Sequence, residues 1–239
     1  MAVLTIQKSF TFGSSSLLLP VTDKNAVQKV YAFCRKADDL ADEKQSLAEL
    51  SEMKENLVKS LSGKNTRDET VNQFSEVVKE RGLDEKYAFE LLEGLHKDLL
   101  THEYQTFYDL EKHCYAVAST VGLLLLPILS DQKPNEEAIA LGKAMQLTNI
   151  LRDVAIDLKK YRVYLPQDEL ELFNADASKF SPEFKQLMRF QIERARSYYA
   201  KALPGIMKLK PSARPAVSHA IHTYAKILDE IETRGYKVI

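Results

Sequence analysis

Residues 138–158 leave few choices of surroundings. Leu141, Met145, Leu147, Ile150, Leu151 and Val154 recur at helical spacing around most of this segment. Gly142, Gln146, Asn149, Asp153 and Asp157, at steps of four, three, four and four, form one straight polar stripe along it. A helix that is apolar nearly all round is a buried helix, so other elements must enclose it. Its amide and carboxylate groups then need partners, because an unpaired buried charge is costly. Only helices are available as neighbours. Strand-like alternation is nowhere sustained, and glycine and proline number only 8 each in 239 residues, few breakers among many good helix formers. No linker, repeat or low-complexity tract divides the chain. The expected fold is therefore all-α, one domain over residues 1–239.

Charge and cysteine usage exclude several functions. Lys and Arg total 33 against 34 Asp and Glu, a net charge of −1, which argues against nucleic acid held by bulk electrostatics. Apolar residues at 45% and charged residues at 28% are values of a folded chain. Two cysteines, Cys34 and Cys114, allow neither a disulfide framework nor a cysteine-rich metal site. Lys8 and Ser9 interrupt the short apolar start, so no signal peptide is expected. The most apolar stretch, Val117 to Leu129, contains 13 residues, short of the ~20 needed to cross a bilayer. A cytoplasmic location follows as the expectation, with at most peripheral contact with a membrane.

Periodicity and caps predict helices over 24–43, 47–61, 65–81, 84–100, 109–129, 136–158, 169–173, 182–203 and 211–234. Thr22 or Asp23 is the expected first cap, Gly82 a C-cap, Asp168 a cap for the short helix, and Pro127 a break. Arg162 to Pro166 reads as extended or turn.

Two acidic clusters carry the chemistry. In Arg35-Lys36-Ala37-Asp38-Asp39-Leu40-Ala41-Asp42-Glu43, Asp38 and Asp42 lie about 40° apart on one helix face. That face continues the apolar stripe of Val27, Val30, Tyr31 and Cys34. A solvated acidic helix end is the plain reading of this cluster alone. For the 138–158 stripe the plain reading is a salt-bridge network with Arg152 or Lys159. Taken together, the two Asp-x-x-x-Asp motifs, 115 positions apart, would crowd four carboxylates if their helices faced each other. Two such charges about 5 Å apart repel by about 3 kcal/mol at an effective dielectric of about 20. Oxygen-only ligands select hard Mg²⁺ or Mn²⁺, and Mg²⁺ completes its shell with water and substrate phosphates. The constellation reads as a diphosphate-binding metal site between helices.

These residues resemble the squalene/phytoene synthase family, head-to-head prenyltransferases of the isoprenoid-synthase fold. The matching segments are Ser9 to Phe12, Tyr31 to Glu43, Cys114 to Gly122, Gln146 to Val154 and Arg162 to Pro166. The resemblance implies a helical bundle around a central cavity. It also implies condensation of two allylic diphosphates through a cyclopropyl diphosphate. Two geranylgeranyl diphosphates giving phytoene is the preferred reading; farnesyl diphosphate giving dehydrosqualene or squalene is the alternative. By matching position, Asp38, Asp42, Asp153, Asp157 and Tyr115 stand as catalytic groups. Asp38, Asp42, Asn149, Asp153 and Asp157 stand as metal ligands. Ser9, Thr11, Phe12, Arg35, Gln146, Asn149, Arg152 and Tyr236 stand as substrate contacts, with Tyr236 in the final helix. Val117, Val121, Leu124, Leu125 and Phe12 are candidate walls, or ordinary core. Mg²⁺, with Mn²⁺ as substitute, is the implied cofactor. NADPH is not expected, since only squalene formation consumes it, although family members that use it also lack a glycine-rich nucleotide fingerprint. Prenyl diphosphates are the implied partners, with membrane contact for product release.

Three positions depart from the family pattern. His113 replaces a tyrosine linked to the cation chemistry, Ile156 replaces an acidic residue before Asp157, and the chain stops at Ile239 where a basic segment usually follows. The rival class is a non-catalytic scaffold, whose mark would be loss of the aspartates; all four are present. A head-to-tail elongator or terpene cyclase would share the fold logic but carry different flanks.

Overall fold

Residues 17–131, 133 and 135–239 are described by a computed structural model. Among them ten α-helices follow one another: α1 (Val21–Asp42), α2 (Leu47–Leu61), α3 (Glu69–Arg81), α4 (Lys86–Leu100), α5 (Phe107–Cys114), α6 (Thr120–Leu129), α7 (Glu136–Lys159), α8 (Gln167–Leu172), α9 (Pro182–Ala202) and α10 (Arg214–Thr233). A π turn, Tyr115–Ser119, joins α5 to α6, and a 3-10 segment, Leu203–Lys208, follows α9. No strand occurs among the described residues. Only an isolated bridge between Glu103 and Val163 anchors the extended Arg162–Pro166 stretch.

Local chemistry sets the helix ends. Ser46, Asp68, Thr106, Asn135 and Ser181 each accept the backbone N–H three residues on, satisfying donors that the first turn leaves open. Gly82 ends α3 at φ +63°, the left-handed cap a side chain disfavours. Several expected boundaries shift. Proline supplies φ near −53° and −58° at Pro20 and Pro166 and starts α1 and α8 there. Thr22, Asp23 and Asp168 therefore lie inside first turns rather than capping them. Helix α3 begins at Glu69 and not at residue 65, because Thr66 folds back onto Asn72 through its N–H and Oγ1. Pro127 does not break α6. It forfeits one backbone bond, but Leu123 to Leu126 and Ile128 are all buried, and the helix runs on to Leu129.

Two apolar clusters flank α7. One joins α1 to α4 with α6, and includes Phe33 stacked on Phe74 at 4.1 Å. The other joins α7, α9 and α10. Helix α7 packs on α9, α10, α6 and the π turn, so the buried-helix expectation holds. The continuous helix from Phe107 to Leu129 spans 23 residues and is long and apolar enough to cross a membrane by length and composition. The helix that carries the 13-residue apolar run is thus longer than the run itself and reaches the spanning length that the run alone does not. Half of its most apolar window is buried inside the bundle, where it forms cavity wall and core.

Candidate active site

A cavity of about 310 Å³ runs between the two clusters. Helix α1 presents Tyr31, Arg35, Asp38 and Asp42 to it; α7 presents Gly142, Gln146, Asn149, Asp153 and Asp157. Both sets step by three or four, one helical face each, so the two Asp-x-x-x-Asp motifs face the same space. Helix α4 adds Leu91, Leu95 and Asp98, and α10 adds Val217, Ile221 and Tyr224. The helix through the π turn adds His113, Val117, Val121 and Leu125. The apolar remainder includes Leu126, Leu129, Ile206 and Leu209.

Paired charges line the polar part. The Arg35 guanidinium donates to Asp38 Oδ2 at 3.1 Å and lies 2.5 Å from Asp39 Oδ1. Arg152 donates from Nε and Nη2 to the two carboxylate oxygens of Asp153 at 2.8 and 2.6 Å. Burial works against the Arg152 charge, but the Asp153 bonds and charge outweigh it and raise its pKa. Lys160 Nζ donates to the Asp42 carbonyl at 3.2 Å and ties the end of α7 to the end of α1. Burial pushes the Cys34 thiol up to about 12, which keeps this cavity-lining group in its protonated form at neutral pH.

Asp98 is the hub of a buried network that the sequence reading missed. It accepts from the Tyr104 hydroxyl at 3.1 Å, the Tyr164 hydroxyl at 2.9 Å and Arg162 Nη1 at 3.1 Å. Its Oδ1 lies 3.3 Å from His113 Nδ1. Burial, then the Asp98 charge, raise the pKa of both tyrosines, which stay neutral donors. Asp42 and Asp157 lie within electrostatic reach of this network. A signal for Asp98 was present: with Leu91 and Leu95 it steps by four and three, a carboxylate on an apolar stripe.

The sequence-predicted residues divide. Asp38, Asp42, Asp153, Asp157, Arg35, Gln146 and Asn149 all line the cavity. Arg152 does not; it stands behind Asp153 as a positioning group. Tyr115 does not either, because its hydroxyl donates to Glu90 Oε2 at 2.9 Å. The wall residues His113, Val117 and Val121 step by four, and a residue two past His113 lies on the far side of the helix. Tyr236 is not in the final helix but beyond it, at φ +68°, where its hydroxyl accepts from Arg189 at 3.4 Å, away from the cavity. Of the candidate walls, Val117, Val121 and Leu125 line the space, whereas Leu124 is fully buried core. Ser9, Thr11 and Phe12 lie outside the described residues. Ile156 is exposed, so the departure there removes no group from the cavity.

A divalent cation fits this donor set. Asn149 Oδ1 is buried without a hydrogen-bond partner, an acceptor left open beside Asp153. Among the described residues no three carboxylate, imidazole or thiol groups converge into a ready-made metal cluster. A hard cation held by these oxygens would complete its shell with water and substrate oxygens.

A family model for squalene/phytoene synthase matches residues 6–239. The phytoene synthase of Arthrospira platensis is 37% identical over 98% of this chain and 84% of its own length. The 15-cis-phytoene synthase of Synechococcus elongatus is 35% identical over 98% and 83%. Among solved structures, a dehydrosqualene synthase in complex with ligand superposes with TM-score 0.92 at 30% identity, covering 97% of this chain and 84% of that one. A squalene synthase from Alicyclobacillus acidocaldarius gives 0.88 at 25%, covering 95% and 90%. With the match running to the last residue and the two aspartate faces meeting across one cavity, the chain belongs to the squalene/phytoene synthase family and is a prenyltransferase of that type.

Proposed function

We propose that this chain condenses two prenyl diphosphates head to head through a cyclopropyl diphosphate, with two geranylgeranyl diphosphates giving phytoene as the preferred reaction. The observation that carries this reading is the pair of aspartate faces, on α1 and α7, meeting at one cavity whose remaining walls are largely apolar. The phytoene synthases among its relatives support the twenty-carbon substrate.

Asp38, Asp42, Asn149, Asp153 and Asp157 would hold Mg²⁺, with Mn²⁺ as a substitute. The cation supplies Lewis-acid neutralisation of the leaving diphosphate. Arg35 provides the fixed positive charge at the cavity surface and orients the Asp38 carboxylate. Arg152 holds Asp153 in one rotamer from behind. Gln146 offers an amide to diphosphate oxygens. Val117, Val121, Leu125, Ile221 and Leu209 hold prenyl chains and keep water from a carbocation.

Incubation with fifteen-carbon and twenty-carbon prenyl diphosphates and Mg²⁺, with and without NADPH, followed by product mass analysis, tests the reading. A forty-carbon hydrocarbon formed without NADPH is expected. A thirty-carbon product formed in preference from the shorter substrate would reassign chain length, and no hydrocarbon from either would overturn the reaction.

A further inference from the structure

Joining two allylic groups carbon to carbon without a reductant cannot end in a neutral hydrocarbon unless C–H protons leave. An apolar cavity that does this needs a proton acceptor within it. The carboxylates are committed elsewhere: Asp38 is engaged by Arg35 and Asp153 by Arg152, and Asp42 and Asp157 belong to the cation-binding set. His113 is different. It is 8% exposed and lines the cavity, and its Nε2 is buried with no hydrogen-bond partner. Its Nδ1 lies 3.3 Å from Asp98 Oδ1. An ionised carboxylate can only accept, so a carboxylate beside Nδ1 favours the tautomer with its proton there and the lone pair on Nε2. Tyr104, Tyr164 and Arg162 hold Asp98 in place, and the Tyr104 and Tyr164 rings pack on the imidazole at 5.3 Å each. Burial holds the His113 pKa below its ordinary value, so the ring is neutral and its lone pair available at neutral pH.

We propose that His113 is a catalytic base of this enzyme, accepting at Nε2 a proton that leaves the carbocation; this rests on the head-to-head reaction proposed above. The C–H bond next to the cationic carbon breaks. Its electron pair becomes the closing bond of the cyclopropane or the new double bond of the hydrocarbon, and the proton passes to Nε2. The imidazolium so formed faces the Asp98 carboxylate, which stabilises it, and the proton then leaves with the anionic diphosphate. Asp98 is the positioning residue.

The test uses the full chain with Mg²⁺ and the twenty-carbon prenyl diphosphate, and measures hydrocarbon formed per diphosphate released. H113Q keeps a polar side chain of similar size with no basic nitrogen. It is expected to lower that ratio about 100-fold, the scale of general-base catalysis, and to divert cation to prenyl alcohol. H113A, the second variant should H113Q fail to fold, is expected to do the same and to regain hydrocarbon formation with added imidazole. A folded H113Q or H113A whose ratio stays within threefold of the unaltered protein overturns the inference alone. An unaltered protein that makes no hydrocarbon overturns the inference together with the reaction on which it rests.

Discussion

Asn149 carries a polar atom that the fold does not use. Its Oδ1 is buried without a partner, while Nδ2 reaches only Gln146 at 3.4 Å. Leaving a buried acceptor unsatisfied costs about 1–3 kcal/mol, and leucine has nearly the same volume without the polar atoms. Asn149→Leu should therefore leave the folded protein as stable or raise its melting temperature by about 2–4 °C per kcal/mol gained, while turnover falls about 100-fold or more. A thermal melt beside an assay of the same preparation checks this; a variant that loses stability and activity together would mean the amide is structural. Asp153 behaves oppositely. Arg152 is only 3% exposed at its side chain and relies on that carboxylate, so Asp153→Asn should lose activity and some stability as well, because it removes charge from one half of a buried pair. His113 supplies a pH signature. Its folded pKa is depressed by burial, against the opposing pull of Asp98 and Asp42 and with the help of Arg162 and Lys97. The unfolded chain, titrating near pH 6.5, then binds more protons in that range. Stability is full above about pH 6.5 and declines as pH falls through the folded pKa. Urea unfolding at pH 7 and pH 5 should show a loss in the unaltered protein that is smaller in H113Q; equal losses would place the titration elsewhere.

Helix α7 approaches its neighbour more closely than any side chain allows at one point. A Cβ on Gly142 would stand 2.4 Å from Ser119 Cα and 2.5 Å from Ser119 N. Alanine would bring about 1 kcal/mol of helix propensity, but backbone cannot yield as a side chain can, and overpacking of this kind costs about 1–3 kcal/mol. Gly142→Ala should thus destabilise, and because Gln146, Asn149 and Asp153 follow on the same face, it should also lower kcat. Melting and steady-state kinetics decide it, and an unchanged kcat would separate this contact from the site. Much of this architecture was legible. The α7 stripe and the α1 carboxylate pair appear as helical spacing, and spacing is what places side chains on a face. What escaped depends on geometry that spacing does not encode. The π turn at Tyr115–Ser119 is invisible to a count in threes and fours, and Tyr115, adjacent to a conspicuous motif, turns to Glu90. The Asp98 network joins α4, α5 and the 162–166 stretch across more than 60 positions, where no local pattern connects them. Arg152 stands as a substrate contact by family position alone; i and i+1 side chains diverge on a helix, and here Arg152 curls back to hold Asp153.

At the scale of the molecule, two apolar clusters are held apart by a cavity with acidic groups on both sides, and α7 packs on elements of both halves. The same arrangement that binds substrate therefore also limits stability, because carboxylates facing one space repel and the cavity removes contacts from both cores. A ligand that bridges α1 and α7 must stabilise the whole fold and not only its binding residues. One that binds the folded state alone, at 100 times its dissociation constant, adds about 2.7 kcal/mol, which in a chain of this size corresponds to about 5–10 °C. The absence of a converged three-ligand cluster among the described residues then separates two cases. Mg²⁺ by itself finds too few oxygens and should move the melting temperature by little. A non-reactive prenyl diphosphate analogue by itself brings negative charge toward Asp38, Asp42, Asp153 and Asp157 and should also do little. Supplied together, each completes the other's shell, and the shift should exceed the sum of the two. Thermal melts with each component, with both, and with both in the Asn149→Leu variant distinguish the outcomes. A full shift from Mg²⁺ alone would reveal a preformed structural ion site, and additive shifts would show that cation and diphosphate bind at separate places.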